Sequence, residues 1–198
     1  MDLGLKDRVV VVAGGDDADR RACVTLLATE GAIVMESDTL AGGADAVARA
    51  LSEHGRVEGV AAFLPDVAGR NVIDAEIEAL YESWSAVEAV AAAFRAAVPS
   101  MSDIGWGRLV SVTTGAVKWL DDGIDELGVM AGLGVLGLHK AAVADIAQFG
   151  IATNAVLRGA DCASDEIAAT VAFLLSNDAE YLQGVTISLD GAISPAVY

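Results

Sequence analysis

The chain has 198 residues, of which 54% are hydrophobic, so its length suits one domain with a large core. Acidic residues outnumber basic ones by 29 to 12, which gives a net charge of −17. This charge argues against nucleic acid and anionic membranes as partners, because both attract positively charged surfaces.

Strand-like and helix-like segments alternate along the chain. Residues 9–13 are a continuous apolar run, which is typical of a strand buried on both faces. The predicted elements are, in chain order, strand 9–13, helix 20–29, strand 32–36, helix 44–55, strand 57–64, helix 75–98, strand 107–114, helix 129–149, strand 151–157, helix 164–176 and strand 185–191. This alternation predicts a single α/β domain over residues 1–198, a doubly wound parallel sheet with helices on both faces.

The sequence contains few residues that could form disulfides, bind metals or insert into a membrane. Two cysteines and two histidines imply no disulfide framework and no zinc site. The N-terminal residues lack the basic and then apolar pattern of a signal peptide. The other apolar stretches are interrupted by charge or glycine before they reach membrane-spanning length. We therefore expect a cytoplasmic protein with no bound metal.

Five sequence segments occur in this order along the chain: "LGLKDRVVVVAGG", "LLATEGAIVMESD", "AAFRAAVPSM…GWGRLVSVTTG", "VLGLHKAAVADIAQFGIATNAVLRG" and "EIAATVAFLLSNDAEYLQGVTISLDGA". Together they resemble the short-chain dehydrogenase/reductase family nearly from end to end. The resemblance implies a Rossmann-like sheet. It also implies two deletions: residues 38–57 have room for one helix, without the family's third, edge strand, and residues 160–163 replace its substrate lid.

The family's cofactor turn reads TGxxxGxG, with glycines that let the backbone approach a pyrophosphate. By resemblance, the last two glycines are replaced here by Ala18 and Arg20, and aspartates at 16, 17 and 19 add like charge. Those acids equally suit a solvated helix N-terminus that binds no ligand. Cofactor binding is therefore expected to be lost, and its remnants are Gly14, Gly15, Arg20 and Asp38.

The family's catalytic tyrosine and lysine positions fall, by resemblance, on Gly128 and Gly132. Neither glycine can donate a proton to a substrate oxygen. The family's asparagine position falls on Ala86, and its serine position falls on Thr113 or Thr114, so only a hydroxyl group remains.

Three functions remain open. The favoured one is a non-catalytic subunit that needs no cofactor. It assembles with itself or with an active reductase through helices 75–98 and 129–149 and the 164–191 surface, which the resemblance gives as assembly surfaces. The second is an NAD(P)-dependent oxidoreductase with an altered site. The third is a cofactor-independent enzyme that uses the acidic loop 121–126, with Asp121 and Asp122, or the thiol of Cys162.

Several side chains carry simpler structural expectations. Trp84 and Phe94 are available for the core, and Trp84 equally suits an interface. His139 is expected to be partly exposed or interfacial rather than catalytic. The acids of loop 118–128 are expected to be hydrated.

Overall fold

The structure is a computed structural model that describes residues 3–15, 17–65, 70–119 and 124–192. Within these ranges the strands are β1 (Val9–Gly14), β2 (Ile33–Ser37), β3 (Gly59–Phe63), β4 (Gly107–Thr114), β5 (Ile151–Arg158) and β6 (Thr186–Leu189). The α-helices are α1 (Ala18–Thr29), α2 (Gly43–His54), α3 (Ile77–Ile104), α4 (Glu126–Ile146) and α5 (Ser164–Leu174).

The six strands form one parallel sheet in the order β2-β1-β3-β4-β5-β6, which confirms the predicted Rossmann-like α/β fold. Helices α1 and α5 pack together on one face, and α2, α3 and α4 cover the other. The direction of winding reverses between β1 and β3. In open parallel sheets, ligands bind at the carboxyl ends of the strands beside this reversal.

The two segments in which deletions are predicted are short in the described chain. The single helix α2 connects β2 to β3, and no described strand pairs with the outer edge of β2. At that edge the guanidinium of Arg49 donates a hydrogen bond to the backbone oxygen of Glu36 at 2.8 Å. Helix α5 follows β5 after only five residues, 159–163.

Helices α3 and α4 differ most from their predicted bounds. Helix α3 continues six residues past the expected end at 98 and contains Pro99, whose missing N–H is tolerated on the solvent-exposed side. Helix α4 begins at Glu126, three residues earlier than expected. On α3, Phe94 is buried as expected, whereas Trp84 is 44% exposed and does not belong to the core.

Helix α4 also corrects the expectation that every apolar stretch is too short to cross a membrane. By length and composition alone, the stretch Glu126–Phe149 is sufficient. That is weak support for a membrane, because α4 lies on the sheet and buries Leu127, Ala131 and Val135 there. Its outer side remains exposed at Leu133.

Candidate functional site

The turn between β1 and α1 retains one glycine for a structural reason. Gly14 has a φ of +150°, and a Cβ added there would lie 2.6 Å from the backbone oxygen of Phe63 on β3. Gly14 is therefore needed for β1 to pack beside β3, whether or not a ligand binds. A Cβ at Gly15 would meet open space, so packing does not require that glycine.

The side chain of Arg20 lies inside this turn and is only 3% exposed. Its Nε donates to the backbone oxygen of Gly15 at 2.9 Å. Its two terminal nitrogens donate to Glu36 Oε2 at 2.8 Å and to Asp38 Oδ1 at 3.1 Å. Three of the four predicted cofactor remnants therefore bind one another, and Glu36 completes the group.

Asp19 forms a second internal contact at the same helix end. It is 8% exposed, accepts a hydrogen bond from the guanidinium of Arg158 at 2.9 Å and accepts another from Ser164 Oγ at 2.6 Å. These bonds join the starts of α1 and α5 to the end of β5. The expectation of a solvated helix N-terminus is therefore wrong for Asp19 and Arg20, because ion pairs hold both side chains inside the protein. Asp17 does act as the helix cap, accepting from the Arg20 N–H at 2.8 Å.

An ion pair between Arg70 and Asp125 lies next to Gly128, the position that the resemblance gives to the catalytic tyrosine. A Cβ at Gly128 would overlap the carboxylate of Asp125. That carboxylate is buried and accepts two hydrogen bonds from the guanidinium of Arg70, at 2.5 and 2.8 Å. Asp125 is therefore not part of a hydrated loop, as expected from the sequence, because Arg70 neutralises its charge in the interior. The hydrogen bonds and charge of Asp125 raise the pKa of Arg70.

Residues 70–72 lie across the first turn of α4. The Glu126 N–H donates to the backbone oxygen of Arg70 at 2.9 Å, and the Glu126 carboxylate accepts from the Val72 N–H at 2.8 Å. Together with the Arg70–Asp125 pair, these bonds define a strap of residues 70–72 over α4. Asp121 and Asp122, the acids proposed for the third function, lie outside the described residues.

The position given to the catalytic lysine is also filled. A Cβ at Gly132 would lie 2.7 Å from both Thr113 Oγ1 and Val117 Cγ1. Thr114, at the serine position, accepts a hydrogen bond from the Ala116 N–H at 3.2 Å and so caps a short 3-10 turn. Ala86 is half-buried on α3. No titratable side chain stands at any of these four positions.

His139 is buried, at 2% exposure, which corrects the expectation of a partly exposed residue. Its ring nitrogens lie 2.6 Å from Ser111 Oγ and 2.6 Å from Thr153 Oγ1, and its ring packs edge-on against Phe94. Burial lowers the pKa of His139 to about 4, so the ring is neutral at physiological pH. These contacts place His139 in the core between α4 and the sheet.

Cys162 lies beside a cavity of about 440 Å³, with Asp161, Glu166 and Asp190 among its lining residues. Burial, the hydrogen bond to Glu166 at 3.5 Å and nearby negative charge raise the pKa of the Cys162 thiol. A raised pKa disfavours the thiolate, which is the nucleophilic form. Among the described residues, no group of three His, Cys, Asp or Glu side chains is arranged to hold a metal ion.

Known proteins share this architecture. The (2S)-[(R)-hydroxy(phenyl)methyl]succinyl-CoA dehydrogenase subunit BbsC of Thauera aromatica is 27% identical over 222 residues, which cover 93% of this chain and 84% of that protein. A double variant of a short-chain dehydrogenase/reductase of Serratia marcescens has a TM-score of 0.82 at 25% identity, and the match covers 96% of this chain and 99% of that one. This chain is therefore similar to a short-chain dehydrogenase/reductase over nearly its whole length.

A further structure with this fold is YwfH, an NADPH-dependent reductase involved in bacilysin biosynthesis. It has a TM-score of 0.85 at 16% identity, and the match covers 97% of this chain and 100% of that chain. The search against protein-family profiles returned no match.

The groups that would hold a dinucleotide at this turn are engaged within the chain itself. A pyrophosphate at a helix N-terminus needs free backbone N–H groups and close backbone approach. Here Asp17 accepts from one N–H, and Arg20 stands at the last glycine position. The carboxylate of Asp38, at the family's ribose-binding position, is bound by that arginine.

Proposed function

We propose that this protein is a non-catalytic short-chain dehydrogenase/reductase homologue that acts as a structural or regulatory subunit. It assembles with itself or with an active reductase through α3, α4 and the 164–191 surface. The relative of Thauera aromatica is described as a subunit of a dehydrogenase, which supports a role in assembly. Within the described chain, glycines at both proton-transfer positions support the absence of catalysis.

One observation carries the proposal: the guanidinium of Arg20 occupies the cofactor turn and binds the acid that the family uses for ribose. A nucleotide that bound in the family's manner would have to displace a buried side chain that donates hydrogen bonds to Gly15, Glu36 and Asp38. It would also meet Asp19 at the helix end, which repels phosphate unless Arg158 continues to neutralise it.

Isothermal titration calorimetry with NADH and NADPH tests this proposal. We expect no binding heat from the wild-type protein at millimolar nucleotide, while an active family member gives a clear isotherm under the same conditions. An Arg20→Ala variant is titrated in parallel, because binding by this variant alone would identify the guanidinium as the obstacle. Wild-type binding in the micromolar range would contradict the proposal.

The alternative is an NAD(P)-dependent oxidoreductase with an altered site, and it is favoured by the NADPH dependence of YwfH. This function requires Arg20 to leave the turn when the nucleotide binds. A crystal structure of the protein soaked with NADPH distinguishes the two functions. Nucleotide density beside a displaced Arg20 would support the alternative, whereas an unchanged Arg20–Asp38 contact would support the non-catalytic subunit.

A further inference from the structure

We draw no further inference here: the strongest candidate, the cavity at the carboxyl ends of β5 and β6 beside Cys162, Glu166 and Asp190, rests on a lone cysteine and a group of acids whose carboxylates already accept hydrogen bonds within the chain, and nothing else in the described residues points to a ligand there.

Discussion

The guanidinium of Arg20 donates hydrogen bonds to Gly15, Glu36 and Asp38, and these bonds change the interpretation of the cofactor turn. The sequence places three aspartates near the turn, and their charge alone predicts repulsion of phosphate. In the structure, Asp17 caps α1 and Asp19 pairs with Arg158, so each of these two acids has a structural partner. Positive and negative side chains therefore stabilise the turn without a ligand.

His139 gives a prediction at the residue scale. The unfolded chain binds a proton at this histidine below a pH of about 6.5, whereas the folded chain binds it only below a pKa of about 4. The contribution of neutral His139 to stability is therefore complete above pH 6.5 and is lost as the pH falls toward 4, by up to about 3 kcal/mol.

Chemical denaturation between pH 7 and pH 4.5 measures this loss. A His139→Gln variant can retain hydrogen bonds to Ser111 and Thr153 and is expected to show a flatter pH dependence of the unfolding free energy. His54→Gln is the matched control, since it makes the same change at the end of α2, away from the buried ring of His139. Equal slopes for all three proteins would show that His139 does not titrate as described.

At the scale of single elements, the strap of residues 70–72 holds the start of α4. The buried carboxylate of Asp125 depends on Arg70 for its charge partner, and Arg70 itself is 27% exposed. Arg70→Ala is therefore expected to lower the free energy of unfolding by about 1–3 kcal/mol. This loss is smaller than the loss from breaking a fully buried ion pair, because Arg70 is partly exposed. The effect should concentrate in the first turns of α4.

Hydrogen–deuterium exchange measures where the protein opens. We expect faster exchange of the amides at 126–132 in Arg70→Ala, with β1 and β4 unchanged. Arg70→Lys keeps the positive charge but loses the two-pronged geometry, so its exchange is expected to be intermediate. Uniformly faster exchange over the whole sheet would instead indicate global loss of stability.

The sequence predicts elements better than it predicts contacts. Apolar runs and glycine stops located all six strands, and the family resemblance located both deletions. The end of α3 was missed because Pro99 is ordinarily a helix breaker, yet its place on the exposed side costs no buried hydrogen bond. The partners Glu36, Arg158 and Arg70 were not predicted, because they come from segments distant along the chain and no local spacing links them to Arg20, Asp19 or Asp125.

The whole molecule is strongly acidic, and this governs its stability and its association. The net charge is −17, so the acidic side chains repel one another within the compact chain and repel those of a second copy. Added salt screens the repulsion between exposed charges, with a screening length of roughly 10 Å at 0.1 M.

We therefore expect the thermal midpoint to rise as sodium chloride is increased from low to physiological ionic strength. Thermal unfolding at several salt concentrations measures this midpoint. Potassium chloride is the control, because screening depends on ionic strength and not on the cation. A fall in the thermal midpoint with salt would mean that attractive ion pairs outweigh the general repulsion.

Loss of the third strand has left β2 as an outer strand, and this bears on solubility. An uncovered strand offers unpaired backbone groups to any extended chain, which is a route to aggregation. The guanidinium of Arg49 donates a hydrogen bond to one of these acceptors, the backbone oxygen of Glu36. The charged side chain of Glu36 lies next to this oxygen. Shortening the sheet thus exposed a strand to non-native pairing, and one arginine from α2 protects it.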